Sequence, residues 1–325
     1  MAKRLSVEEK LSAVRRLRDQ DPSPRVTAEL RSALADKSNL IIAAAAAIAG
    51  DQKLADLASD LEAAFDRLLV DPLKSDKLCR GKLAIVQALD KLEHERPDIF
   101  LKAARHIQFE PAWGGEEDTA APLRAAGLLA LARLDDPGLL PLLVDALTDP
   151  QKEVRIAAAQ ALGYHGTESA GLLLRLKTRI GDQEPEVLSE CLSGLLGCSP
   201  KEGLPLVSQV LDSGNPGLRE AAMLALGRSR LPEAFELLKG CWQRNPLGPK
   251  ETLLLAMAML RLPAANDFLL ELIATGSETV SSAALSALMI HRYDPRLRQR
   301  IAEAVDKSGS RVLRAKFERH ARMGE

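Results

Sequence analysis

The sequence predicts an all-α fold, a right-handed α-solenoid of about eight stacked helix pairs. Composition, a recurring segment and the apolar spacing between its copies carry that expectation. The chain is 46% hydrophobic, mostly through Leu and Ala, with 3% aromatic and 27% charged residues. That mix favours long helices over sheets. The recurring segment is DPQKEVRIAAAQALGYHG at 149–166, which aligns with APLRAAGLLALAR at 121–133 and NPGLREAAMLALGRS at 215–229. EPEVLSECLSGLLG, KETLLLAMAML and ETVSSAALSALM hold the same register more weakly, and NLIIAAAAAIAG and GKLAIVQALDKL fit it upstream.

Marking each copy at the position equivalent to Gly163 gives 49, 90, 132, 163, 197, 227, 260 and 289. Between the marked helices runs a second set with apolar i, i+3, i+4 spacing: LLPLLVDALTD, AGLLLRLKTRI, GLPLVSQVLDS, EAFELLKGCW and NDFLLELIATG. Each repeat therefore reads as two helices joined by a turn bearing Asp, Pro, Gly or Asn. One such pair cannot bury its apolar face alone, so neighbours must stack. The column of Ala161 holds Ala47, Ala88, Ala130, Ala225, Ala258 and Ala287, with Leu195 as the exception. Small residues there let adjacent helices approach closely, which marks a packing column. Residues 1–110 read as longer, more divergent repeats. Residues 111–325 read as a regular array closed by a basic helix, the two forming one continuous solenoid.

One interval is long. Between the markers at 90 and 132 lie about ten residues more than the later intervals carry, centred on FEPAWGGEEDTAAPLR at 109–124. A helix over PDIFLKAARHIQF is expected to stop before Pro111, and a new helix to begin at LRAAGLLALAR. The insertion is expected to be the turn between the two helices of one repeat, where solenoids display variable loops, with Asp118 and Thr119 capping the second helix. Two readings stand for Trp113. Its ring folds back over the ridge and is buried, the preferred one, or it is an exposed aromatic anchor with Glu110, Glu116 and Asp118 around it.

The pattern D-P-x-x-x-V-R-x-A-A-x-A-L-G of 149–163 resembles a HEAT repeat, in the short bacterial form also found in phycobilisome-lyase-type proteins. The resemblance covers roughly 36–290 and is strongest over 121–230. It implies that Asp149 and Arg155 stitch a turn to its helix and to the next repeat. Arg124, Arg155 and Arg219 fill the matching Arg column and Lys82 substitutes conservatively, whereas Ser189, Thr252 and Ser281 depart from it. The ladder is incomplete, so the later repeats must rely more on apolar packing. These three arginines could also form a spaced row for a partner, although turn anchoring is the preferred role.

Charge and motifs narrow the function. The formal net charge is −1, but residues 1–25 hold seven Lys/Arg against four Asp/Glu and residues 291–325 hold ten against five, leaving an acidic middle. An acidic middle favours a basic protein or peptide partner and opposes nucleic acid. Arg311, Arg314, Lys316, Arg319 and Arg322 are the best nucleic-acid candidates, with a polar terminal cap as the plainer explanation. Cys79, Cys191, Cys198 and Cys241 form no C-x-x-C pair and suit buried thiols in a reducing, cytoplasmic setting. No apolar run is long enough to cross a bilayer, so no membrane partner is expected.

No P-loop, dinucleotide, zinc-protease or serine-hydrolase motif occurs. The five histidines are scattered, and the acid pairs Glu116-Glu117 and Asp135-Asp136 fall in predicted loops. Neither a catalytic residue nor a metal or cofactor is expected. The expected function is a non-catalytic scaffold or adaptor for a protein or peptide, with Glu110, Trp113, Glu116, Asp118, Arg124, Arg155 and Arg219 as candidate contacts. The resemblance implies one alternative, a phycobilin-lyase-like or other small-ligand enzyme. A nucleic-acid-binding HEAT-like protein is disfavoured, since ten aromatics and no central basic stripe fit poorly with base recognition.

Overall fold

The computed structural model describes residues 6–134, 138–244 and 250–322. Helix succeeds helix, and among the described residues the sole sheet is an antiparallel ribbon of two strands, β1 (Phe109–Ala112) and β2 (Gly115–Asp118). The chain forms two compact units, Met1–His165 and Gly166–Glu325. In the first, the helices Asn39–Asp51, Arg80–Lys91, Ala121–Leu134 and Lys152–His165 pack side by side in chain order. Ala58–Leu69, Pro97–Ala104 and Leu139–Ala146 supply the second row of that stack. In the second unit, Pro185–Cys198, Pro216–Ser229, Lys250–Met259 and Glu278–Leu288 make the same kind of row. Both units are stacks of the α-solenoid type, and each marked position lies within one of these helices or one residue beyond it.

Local chemistry explains where the helices begin. Proline occupies the first turn at Pro24, Pro97, Pro185, Pro216, Pro263 and Pro295, where its missing N–H costs nothing. Ser23, Thr167, Asn215 and Asp294 cap the first turn with a side-chain oxygen. The helix Arg311–Arg322 packs onto the second unit: Leu313 is buried and Lys316 Nζ donates to the Ser282 carbonyl at 2.9 Å. No helix among the described residues is long and apolar enough to cross a membrane.

The small-residue column lies in the core. Ala88, Ala130, Ala161, Ala225, Ala258 and Ala287 are buried, as is Leu195, while Ala47 is only partly so. Glycine extends the same logic. A Cβ added to Gly127 would stand 2.7 Å from the Ala104 backbone nitrogen and 2.8 Å from the Phe100 carbonyl oxygen. At Gly227 it would stand 2.7 Å from the Ala256 carbonyl oxygen. Backbone thus packs on backbone, and neither neighbour is a flexible side chain that can swing away.

Two local expectations are corrected. The helix read over 97–109 ends at Ala104, five residues early, because Gln108 and Glu110 are drawn into a polar network instead of a further helical turn. The long turn at 109–124 contains the β-ribbon. The acidic pair Asp135-Asp136 lies outside the described residues.

Gly127→Ala should test the close approach: despite the better helix propensity of Ala, overpacking is expected to lower unfolding stability by about 1–3 kcal/mol. Urea denaturation reads this directly, and equal or higher stability would show that the helices separate at little cost.

Candidate interaction site on a β-ribbon

The ribbon grows from a ladder of charges that recurs along the first unit. Asp76, Asp118 and Asp149 each precede a basic residue, Lys82, Arg124 and Arg155, by the same six positions. Arg124 is 5% exposed and joins two turns: Nη1 meets Asp118 Oδ2 at 2.7 Å, and Nε and Nη2 grip both Asp149 oxygens at 3.1 Å. Its Nη1 also donates to the His106 carbonyl at 3.0 Å. Arg155 Nη1 donates to the carbonyls of Asp149 and Pro150 at 2.8 and 2.9 Å. Lys82 is shorter than arginine and meets its own Asp76 at 3.1 Å, both side chains being fully buried. Gln108 carries the ladder onward. Its Oε1 accepts from Lys82 Nζ at 3.0 Å, and its backbone N–H donates to Asp118 Oδ1 at 3.3 Å.

The base of the ribbon is fixed by this network. Gln108 Nε2 donates to the Asp76 carbonyl at 2.9 Å and to Glu110 Oε1 at 2.7 Å. The same Glu110 oxygen accepts from Thr119 Oγ1 at 2.7 Å and from the Leu78 backbone N–H at 2.6 Å. Leu78 and Cys79 both lie in the left-handed region, at φ 60° and 51°. Consecutive non-glycine residues there cost about 1–2 kcal/mol each. The bonds that offset the strain are those of Glu110 to Leu78 and of the Asp76 carboxylate to the backbone N–H groups of Gly81 and Lys82.

Burial alone would raise the Glu110 pKa, but its hydrogen bonds to Thr119, Gln108 and Leu78 outweigh that and hold it below the ordinary value. Glu110 is therefore an anionic clamp and has no proton to give near neutrality. Burial lowers the His106 pKa against the opposing bond from Gln108, which keeps the imidazole neutral. Burial pushes the Cys79 thiol up to about 11 and the Cys191 thiol up to about 12. Thiols held neutral in this way are poor nucleophiles.

At the other end the ribbon is bare. Trp113 is 105% exposed, so the preferred expectation of a buried ring is overturned. Trp113 sits with Gly114 in the two-residue turn that joins the strands, and nothing lies within 4 Å of the Cβ position of Gly114 or Gly115, so the ring stands at an open tip with no surface to fold against. Gly114 makes the turn possible at φ 95°, a backbone angle that disfavours any side chain although nothing lies within 4 Å of its Cβ position. Phe109 and Ile107 are also exposed, at 55% and 60%.

The sequence candidates thus divide. Glu110, Trp113, Glu116 and Asp118 come together on the ribbon, with Glu116 exposed and Asp118 committed to Arg124. Arg124 is withdrawn from solvent and Arg155 is spent on a turn, so both serve as the anchors that the Arg column suggested. Arg219 belongs to the second unit, where Ser213 stands six positions ahead in place of Asp, and its Nε finds no hydrogen-bond partner among the described residues. Sequence reasoning missed Asp76 and Gln108, and it read Thr119 as a helix cap and not as a partner of Glu110. The six-residue spacing before Lys82 was the available signal for Asp76.

Known proteins resemble the chain through its repeat. A family model described as HEAT repeats matches residues 116–176 and 171–248. No curated protein sequence matches the chain. Similar solved structures include the complex of CpcE and CpcF of phycocyanin lyase from Nostoc, 21% identical, covering 74% of this chain and 94% of that one at a TM-score of 0.41. Human deoxyhypusine hydroxylase in complex with glycerol is 20% identical, covering 79% and 91% at a TM-score of 0.30. An engineered protein is 16% identical, covering 98% and 95% at a TM-score of 0.36.

Removing the cation from the buried pair with Lys82→Met should destabilise the fold by about 3–5 kcal/mol, because Asp76 is left charged and buried. Calorimetry or denaturant unfolding measures it; a loss under about 1 kcal/mol would mean that the pair is dispensable. Glu110 makes a pH-dependent contribution of opposite reach. Since its folded pKa is depressed, its bonds stabilise the ribbon above the ordinary carboxylate range and are lost as pH falls through the lowered folded value. The Leu78 amide shift should track that acid titration in the wild type and stay flat in Glu110→Gln.

Proposed function

We propose that this chain, whose residues 116–176 and 171–248 match HEAT repeats, is a non-catalytic interaction scaffold for a protein or peptide, with the ribbon at 109–118 as its specific contact. The observation that carries this reading is a fully exposed Trp113 on a base tied down by buried charge. Leaving an indole in water forgoes about 2 kcal/mol of burial. A preorganised ribbon returns that energy to a partner without ordering a loop first. Glu116 and Glu117 are exposed and enter no ion pair among the described residues, so the partner is basic and phosphate backbones are disfavoured.

The chemistry of the titratable groups agrees with binding over turnover. Glu110 is held ionised by three donors, His106 is held neutral, and the buried thiols are disarmed. The four free cysteines suit a reducing, cytoplasmic setting.

Tagged full-length protein is expected to retain a partner from cell lysate, and Trp113→Ala to lose that partner with an unchanged melting temperature. Undiminished retention, or a marked fall in melting temperature, would contradict the reading.

A further inference from the structure

The two edges of the ribbon are chemically different. Cα partners run Phe109 with Asp118, Glu110 with Glu117, Pro111 with Glu116 and Ala112 with Gly115. Beyond the strands, the Thr119 N–H donates to the Gln108 carbonyl at 2.9 Å. Hydrogen-bonded pairs alternate along an antiparallel ladder, so Glu110/Glu117 and Ala112/Gly115 are bonded while Phe109/Asp118 and Pro111/Glu116 point their backbone groups outward. The outer edge of β1 therefore offers Phe109 and Pro111, and proline has no N–H. The outer edge of β2 offers Glu116 and Asp118, each with an N–H and a carbonyl. One edge is blunted and the other is open.

The side chains on the open edge select what can pair there. Glu116 and Glu117 point to opposite faces of the ribbon, both exposed and both without an ion pair among the described residues. A second copy of this edge would bring like charges together, which destabilises a strand pair. Anionic lipid or nucleic acid meets the same repulsion. A strand with Lys or Arg on either face meets a carboxylate on each, and Trp113 at the tip offers an indole to a cation or an apolar side chain past the end of the ladder.

We propose that a basic, extended segment of a partner protein adds as a third strand to the outer edge of Gly115–Asp118, bonding the backbones of Glu116 and Asp118 and pairing with Glu116 and Glu117. This rests on the reading of the ribbon as a protein-binding element and specifies its mode. The ladder is short, so the charges and Trp113 supply the selectivity that backbone bonds alone lack.

The test uses the isotope-labelled full chain and three synthetic peptides: one repeating Arg-Arg-Val-Val so that each face carries Arg (the Arg-Val peptide), one with Glu in place of Arg, and one keeping Arg but with Pro in place of Val. The Arg-Val peptide is expected to shift the Glu116 and Asp118 amides and slow their exchange. The Glu peptide should not bind, and the Arg-Pro peptide should bind weaker by about tenfold or more. Glu116→Pro removes the outward N–H together with the carboxylate, and Glu116→Gln removes the charge alone; Glu116→Pro should bind the Arg-Val peptide about tenfold weaker than Glu116→Gln does while leaving the Leu78 amide in place. The double variant Glu116→Lys/Glu117→Lys keeps every backbone donor and should turn the preference to the Glu peptide. Equal binding of the Arg-Val and Arg-Pro peptides, equal binding by Glu116→Pro and Glu116→Gln with the ribbon intact, or no binding of the Arg-Val peptide would overturn the proposal. If the cellular partner is lost with Trp113→Ala but kept with Glu116→Pro, strand addition fails while the scaffold reading stands.

Discussion

The first unit depends on one constraint, which is that each turn acid must find a cation of the right reach. Asp149 is held by Arg124 from the preceding repeat, and Asp118 by the same guanidinium. A planar, forked cation grips one carboxylate with two parallel donors while meeting a second, a geometry that the compact ammonium of a lysine does not match. Where the column holds Lys82, the structure needs a bridging amide, and Gln108 provides it. Its place in the chain is the foot of the ribbon. The insertion is therefore more than an ornament on a regular array: the residue at its foot, Gln108, joins the Asp76–Lys82 pair through its side chain to the Asp118–Arg124 pair through its backbone N–H.

The second unit shows what happens when the acids are absent. Ser281 fills the Arg column, is buried, and turns its hydroxyl to the Leu272 carbonyl at 2.9 Å. Ser213 replaces the acid ahead of Arg219. Apolar columns fill the core there, with Leu226, Leu254, Met257, Leu285 and Leu288 in one buried cluster and Gly227 seated on the Ala256 backbone, while ion pairs such as Arg228–Glu190 and Arg300–Asp267 join repeats at the rim. A neutral hydroxyl bonded locally avoids the desolvation penalty of a charge, and it gives up the reach that lets one repeat grip the next.

Helices were legible because apolar periodicity and proline or capping residues agree at nearly every start, and the packing column because Ala recurs in one register. The ribbon was not. Phe109 to Ala112 lacks the clean alternation of a half-buried strand, since neither face of the ribbon covers an apolar core. The Gly114-Gly115 pair was the one turn signal, and it suits a loop as well as a hairpin. The exposure of Trp113 was hidden for a related reason. Whether an indole is buried depends on where its hairpin stands, and the foot of this one is fixed through Gln108 by Asp76 and Lys82, more than thirty residues before Trp113 in the chain. The charged candidates sorted themselves by reach: Arg124 and Arg155 find turn oxygens, whereas Glu116 and Glu117 point away from the ladder.

These features describe a rigid foot and a bare tip. The bond of Glu110 to Leu78 offsets strain at Leu78 and Cys79 together with those of Asp76 to Gly81 and Lys82, so the ribbon and the left-handed link are coupled. Residue-resolved amide exchange of the native full-length chain tests this most directly. The account predicts that the Thr119 and Leu78 amides are protected to a degree comparable with the helix Arg80–Lys91, while Glu116 exchanges near the rate of a free chain. Free exchange throughout 107–120 would contradict it.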